Sequence, residues 1–424
     1  MPKVVIGGGP SGVRAAAALG ALLLEPEGQA GGIVHPEFGE DRGVAGAQDA
    51  QSIDEGYGAA PAVRLARGVL VRGAVQTLPL RRRQLPQMLR EGSARALNDW
   101  SQTRGRQALR SLIGGGHEER SYRDWVVHRH GAAAFNLLFS SWAARRFGAP
   151  ERASVSLAHL HHSIPEQAEV ALGQSPEAGW KALLGRVPEV RTWVGIEGIE
   201  FEDGRAARVR TDEWTLDVDG PLYVAAPMAE LADWLDDQVP TEILRELRKR
   251  PTRHRIQVGL RMAGSMPDEL HVLDDAPFFR LNRAGALGGD DSLVVAHLSC
   301  DDQNPLWTSG EARVAEQIAH AASALGFGAA EAVGVQRLPD YDPVWTTEPW
   351  HPAHVRVCAA LEQAGIQLVG RAATYRWVDA GQELAFAAGL GANPQDWHEL
   401  QRTILDPPVR PDDERASLTR FVER

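Results

Sequence analysis

A glycine loop, Gly7-Gly8-Gly9-Pro10-Ser11-Gly12, stands between the apolar run Lys3-Val4-Val5-Ile6 and an alanine-rich stretch from Val13 to Leu19, and Ala21-Leu22-Leu23-Leu24-Glu25 follows it. Strand, turn, helix and strand in that order predict a βαβ unit, because short, wholly apolar runs belong to parallel strands buried on both faces. In the pattern Gly7-x-Gly9-x-x-Gly12 each glycine has a physical task. Gly7 permits a tight turn, Gly9 lets the backbone approach a pyrophosphate, and Gly12 allows helix and strand to pack closely. Pro10 and Ser11 open the helix, whose unpaired N–H groups and positive dipole end favour an anion. Glu25, closing the second strand, is placed to accept hydrogen bonds from a ribose hydroxyl. It lies 13 residues beyond Gly12 (25 − 12), so the first helix must be short or the turn after it abrupt. The expected ligand is a dinucleotide.

The rest of the chain alternates in character. Residues 80 to 165 read as helical, with segments Leu85 to Trp100 and Tyr122 to Phe147 separated by Gly114-Gly115-Gly116, a break that glycine's backbone freedom favours. From Val190 to Asp219 short runs return, and Asp203-Gly204 marks a tight hairpin turn. Leu222 to Pro227 reads as a buried strand with a helix after it from about Met228 to Leu235. Strands near 255–263 and 292–298 suggest a second sheet, and Glu311 to Leu325 an amphipathic helix. Ile366-Gln367-Leu368-Val369 is strand-like, with a helix expected from about Gly381 to Leu390. The proline-rich stretch from Pro407 to Pro411 is expected to be loosely held.

With 43% hydrophobic and 24% charged residues over 424 positions, the chain can bury several packed lobes. A formal net charge of -11 argues against a nucleic-acid partner, whose phosphates demand a basic surface. Cys300 and Cys358 form no CxxC pattern, so neither a disulfide framework nor a structural zinc site is expected. No apolar run is long enough for a transmembrane segment, and a cytoplasmic protein is expected.

After Glu25 comes Pro26-Glu27-Gly28-Gln29-Ala30-Gly31-Gly32. An acidic strand end followed by a glycine pair resembles the FAD-binding extension of the amine oxidase and protoporphyrinogen oxidase superfamily. The resemblance implies FAD as cofactor, with Gly31 and Gly32 passing close to its phosphate and ribitol, and Ile196 joins the expected cofactor contacts. The stretch Ser121 to Pro150 is similar to the aromatic-rich helix pair of protoporphyrinogen oxidase-like and UDP-galactopyranose mutase-like flavoproteins, although ordinary core packing accounts for each aromatic singly. Gly370-Arg371-Ala372-Ala373-Thr374-Tyr375-Arg376-Trp377-Val378-Asp379-Ala380 resembles a mutase segment. That likeness implies Gly370 and Arg371 on the FAD diphosphate, Asp379 and Ala380 opening a helix toward the flavin, and Tyr375 near the substrate. Arg280, in Pro277-Phe278-Phe279-Arg280-Leu281, looks like the mutase arginine that binds a substrate diphosphate, and is equally readable as an ordinary surface arginine. A second phosphate-binding arginine of the mutases has no counterpart in Ala171-Leu172-Gly173-Gln174-Ser175.

The expected fold is therefore α/β, an FAD-binding Rossmann-like domain of the GR2 type assembled from residues 1–79, 176–235 and 341–424. A helical lobe over 80–175 and a mixed-sheet substrate lobe over 236–340 complete it. The leading expectation is an FAD-dependent oxidoreductase acting on a small-molecule substrate, with no catalytic residue assignable and a homodimer possible. The alternatives are a non-redox isomerase resembling UDP-galactopyranose mutase and a flavin-binding protein that has lost catalysis. His159, His161 and His162 have no carboxylate or cysteine nearby to complete a metal site, so no metal is expected.

Overall fold

The computed structural model describes residues 2–31, 37–38, 41–42, 63–64, 66–78, 84–113, 119–155, 157, 171–172, 182–235, 239–283, 292–347 and 351–375. The first sheet has five parallel strands in the order Ile366–Leu368, Leu222–Val224, Val4–Ile6, Leu22–Glu25, Glu189–Thr192. Val4–Ile6 and Leu22–Leu24 are almost wholly buried because both faces of this sheet are covered. On one face Val5, Leu23 and Tyr223 pack with Val13, Ala15 and Ala16 of the first helix. On the other, Val4, Ile6, Leu24 and Val224 meet Ile199, Leu231 and Leu361.

The chain leaves the central strand Val4–Ile6 on one side toward Leu22–Glu25, while Leu222–Val224 flanks it on the other. Strand order reverses there, and the crevice outside the carboxyl ends of such strands is where open α/β sheets take their ligands. The glycine loop sits at that position. The first helix, Pro10–Leu19, is as short as the Gly12-to-Glu25 spacing requires, and Gly20 in a left-handed conformation (φ 62) ends it.

A three-stranded meander, Ile196–Glu202, Arg205–Thr211 and Thr215–Asp217, turns at Asp203 (φ 51) and Gly204 (φ 75). Two left-handed residues in a two-residue loop match the natural twist of a hairpin, which is why Asp-Gly marks it.

The large sheet has seven strands in the order Ala330–Pro343, Thr252–Met262, Leu293–Cys300, Arg280–Arg283, Glu269–Val272, Arg67–Val71, Ala74–Thr77. One face is apolar: Ile256, Val258, Leu260, Leu281, Val294 and Ala296 pack against Val314, Ile318 and Ala322 of the helix Glu311–Ser323. The strands Arg67–Val71 and Ala74–Thr77 correct the sequence reading, which assigned them to the nucleotide-binding segment 1–79. Glu269–Val272 pairs in parallel with Arg67–Val71, a partnership distant in sequence that no local pattern announces.

The helical lobe runs through Gln84–Gly92, Ala94–Ile113, Tyr122–His130 and Ser140–Phe147. Ser121 and Asp124 form a reciprocal capping box at the start of Tyr122–His130. The helical stretch from Tyr122 to Phe147 is broken at Gly131 (φ 87) and carries a π-helical turn over Phe135–Phe139. That turn lets Phe135, Leu138, Phe139 and Trp142 all face the core shared with Leu273 and Phe279. Among the described residues no helix is long and apolar enough to cross a membrane. The segments 114–116, 381–390 and 407–411 lie outside the described residues.

Candidate functional site

The three glycines divide their work as their positions in the loop suggest. Gly7 has φ 99, and a side chain there would approach the Ala225 backbone to 3.0 Å. A Cβ on Gly12 would run into the Gly7 carbonyl oxygen, so helix and loop pack as closely as glycine permits. Around Gly9 nothing lies within 4 Å of where a Cβ would stand. Two glycines are therefore demanded by the protein's own packing, and the third faces open space. Gly9 caps the first helix with Pro10 behind it, and that end has neither a side-chain cap bond nor an acidic residue in its first turn. Its dipole is left for an outside anion.

Glu25 is buried at the end of the second strand. One carboxylate oxygen accepts the Gly8 N–H and the other accepts the Glu27 N–H at 2.8 Å. Burial raises its pKa, and the two backbone donors oppose that rise. Each oxygen retains a lone pair for a ribose hydroxyl, so the acid both braces the loop and remains able to meet a ligand. Gly31 donates to the Gly8 carbonyl at 2.8 Å, folding the segment after Glu25 back over the glycine loop.

Trp193 and Val194, not singled out in the sequence, donate backbone N–H groups to Glu27 and Glu25 carbonyls at 3.1 and 3.2 Å. The Trp193 ring lies against Gly28 where a side chain would stand, and is 74% exposed. Ile196, expected among the cofactor contacts, opens the meander and packs, partly buried, against the core cluster.

The second predicted segment arrives at the first. Gly370 has φ 83, and a Cβ there would stand 2.6 Å from Ser11 Oγ and 2.7 Å from Ser11 Cβ. Val369 donates to the Val224 carbonyl at 2.8 Å, so the strand Ile366–Leu368 delivers Gly370 onto the first helix. Arg371 is nearly buried, its guanidinium 4.2 Å from the Tyr341 ring centroid and 3.9 Å from Asp342 Oδ1.

Asp342 is fully buried and accepts from Arg255 at 2.6 Å and Arg146 at 2.8 Å. Burial would raise its carboxyl pKa, but Arg146, Arg255 and Arg371 together hold it well below the usual carboxylate range. This carboxylate joins the helical lobe, the large sheet and the Gly370-Arg371 segment. No sequence motif marked it, because its partners are scattered over the chain and charge at a buried position is visible only in three dimensions.

Arg280 opens its strand directly across from His297 and His271, with its guanidinium 5.9 Å from the Phe279 ring centroid. Tyr375, expected near a substrate, has another task. Its hydroxyl lies 2.6 Å from the Pro251 carbonyl and 2.8 Å from the Val344 carbonyl, so its single proton is shared between them; its own carbonyl accepts from Trp345, and the residue is 2% exposed. It pins the turn after Arg371 to the large sheet. Gly32, Asp379, Ala380, the histidines 159, 161 and 162, and residues 173–175 lie outside the described residues.

The chain is thus a mixed α/β protein whose Rossmann-type parallel sheet carries a helical lobe and a large mixed sheet. Its fold is similar to that of a reduced UDP-galactopyranose mutase, with TM-score 0.71 and 14% identity over 94% of this chain and 98% of that one. A protoporphyrinogen oxidase-like protein from Exiguobacterium gives TM-score 0.66 and 17% identity over 95% of this chain and 98% of that one. An oxidoreductase from Methanosarcina mazei gives TM-score 0.65 and 12% identity over 91% of this chain and 99% of that one. In sequence the chain matches no protein-family model and none of the curated proteins. The fold agrees with the resemblance carried by the glycine loop and the Gly370-Arg371 segment.

Proposed function

We propose that the chain binds FAD across the carboxyl ends of its parallel sheet and oxidises a small organic substrate. The observation that carries this reading is the seating of Gly370 on Ser11, which places the two segments with flavoprotein likeness on one helix end. The residues fit such a cofactor. Gly9 leaves room for a diphosphate, the uncapped helix end supplies donors, and Glu25 closes the second strand with lone pairs that would accept from a ribose hydroxyl. Gly7, Pro10, Ser11, Gly12, Gly31, Gly370 and Arg371 would line it, with Gly32, Asp379 and Ala380 completing the proposed set. Bound flavin would supply two-electron redox chemistry, and the protein's part is to position the substrate and keep water away. Arg371, braced by Asp342, holds a positive charge beside the cofactor segment.

The test is an absorbance spectrum of the purified protein followed by anaerobic photoreduction. Oxidised-flavin bands that bleach on illumination are expected. A colourless protein that takes up no added FAD would end the reading.

A second reading is a non-redox isomerization resembling that of the mutases, favoured by Arg280 on a strand facing two histidines. It requires that reduced, FAD-loaded protein convert a nucleotide-sugar without net consumption of reductant.

A further inference from the structure

Three neighbouring parallel strands end at the same edge of the first sheet, and a different feature follows each. Val4–Ile6 runs into the glycine loop, and Leu22–Glu25 ends on the buried acid. Glu189–Thr192 ends level with Glu25, since Thr192 pairs with that residue, and Trp193 comes next. At the usual spacing of strands the first and third lie about 10 Å apart. Anion site, hydroxyl acceptor and aromatic ring therefore follow one another across that edge, in the order of the phosphate, sugar and base of a nucleotide. One loop ties the two ends together, because Gly28 touches the Trp193 indole and Gly31 bonds Gly8.

Trp193 is unusual in both backbone and exposure. Its φ of 60 puts a bulky side chain on left-handed backbone, where Cβ crowds the following carbonyl. At 74% it is also the most exposed large apolar side chain among the described residues. A Cβ on Gly28 would collide with indole atoms Cζ2 and Cε2, so glycine at 28 is what gives the ring its place. A side chain this open gains little from burial, so burial does not offset the backbone strain. The conformation is held by the main chain instead, through the Trp193 and Val194 N–H groups that bond the Glu27 and Glu25 carbonyls. Strain fixed by its surroundings in this way clusters at ligand clamps, where it sets a contact in advance.

We infer that Trp193 is a stacking platform for the purine base of the bound dinucleotide, and that the base is recognised by its face rather than its edge. Gly28 covers one part of the indole and leaves most of its surface to a ligand. Stacking on an aromatic ring tolerates any base, because every base has a π-face. The two amides nearest the ring already bond the Glu25 and Glu27 carbonyls, so they are not available to read a base edge. A ring fixed before the ligand arrives also spares the cost of ordering it on binding. This rests on the FAD reading for its ligand, but it concerns only the nucleotide half, which carries no flavin chemistry.

The test titrates the full-length protein, dialysed free of any flavin, with ADP, GDP, FAD and FMN. ADP and GDP are expected to bind within about threefold of each other, and FMN, which has no base, is the control. Trp193→Asn removes the ring and substitutes a residue that tolerates left-handed backbone. It should weaken ADP and FAD alike by at least about fivefold, with FMN binding unchanged and the melting temperature equal or higher. Trp193→Tyr should keep most of the affinity. The emission lost in Trp193→Tyr isolates the signal of this one indole, which acrylamide should quench and ADP should shield. Unchanged ADP affinity in Trp193→Asn, an equal fall in FMN binding, a lowered melting temperature, or quenching that ADP does not affect would each overturn the proposal. So would a preference of about tenfold or more for ADP over GDP. A protein that binds ADP through Trp193 but takes up no FAD would sink the flavin reading and leave the platform standing. One that holds FAD equally well with and without the ring would do the reverse.

Discussion

Replacing Asp342 with Asn removes the one charge that Arg146, Arg255 and Arg371 share. The carboxylate is 0% exposed and its two short contacts are 2.8 and 2.6 Å, so the amide keeps the shape and loses the charge. Removing one partner of a buried ion pair costs about 3–5 kcal/mol, because the remaining charge stays in a poorly solvating environment. Asp342→Asn should therefore lower the urea midpoint at neutral pH by an amount equivalent to several kcal/mol. The double variant Asp342→Asn with Arg255→Met should cost less than the two singles added, by roughly 1–3 kcal/mol, since the residues couple directly. The pH dependence follows from the depressed carboxyl pKa. A group whose folded pKa lies below its unfolded value stabilises fully above the unfolded value, near 4, and loses that stabilisation as pH falls through the folded one. The gap between wild type and Asp342→Asn should be constant from about pH 6 to 8 and close in strong acid. A cost below about 1 kcal/mol, or perfect additivity in the cycle, would refute the view that this carboxylate joins the lobes.

Gly9→Ala should leave thermal stability nearly unchanged, because nothing of the protein occupies the space, but should weaken FAD retention measured by equilibrium dialysis. Gly370→Ala places a Cβ at positive φ against Ser11 and should cost both stability, by at least about 1–2 kcal/mol in chemical denaturation, and flavin content. Tyr375→Phe should cost about 1–2 kcal/mol through the lost hydroxyl bond and the Val344 carbonyl it leaves without that donor, the Pro251 carbonyl still accepting the Val344 N–H, while flavin photoreduction proceeds as before; a selective loss of redox activity would restore a substrate role to that hydroxyl. The Cys300 thiol, buried and pushed up to about 11, should resist thiol reagents in the folded protein and react on unfolding.

Local signals carried the parts of the molecule that are local. The glycine loop, the short first helix, the Asp203-Gly204 hairpin and the strand before Gly370 were legible because turn chemistry and apolar runs act over a few residues. The strand Arg67–Val71 was misassigned because parallel pairing with Glu269–Val272 leaves no mark in either segment. Asp342 was invisible for a related reason: an acid beside Tyr341 and Pro343 reads as a turn, and its burial depends on arginines brought from three other elements. The likeness at Tyr375 suggested a ligand contact, whereas a left-handed backbone (φ 54) points its hydroxyl into the protein's own carbonyls.

Gly370 rests on Ser11 at a separation of 359 positions in sequence (370 − 11). During synthesis the ribosome emits the loop early and its counterpart very late, so a half-made chain owns only one jaw of the clamp. The edge strand Ile366–Leu368 must also dock before Gly370 can arrive, and docking elements so distant in sequence is slow. On the proposed flavin reading, cofactor capture would wait until translation has passed that strand, and a product cut short before it would lack Gly370's side of the clamp.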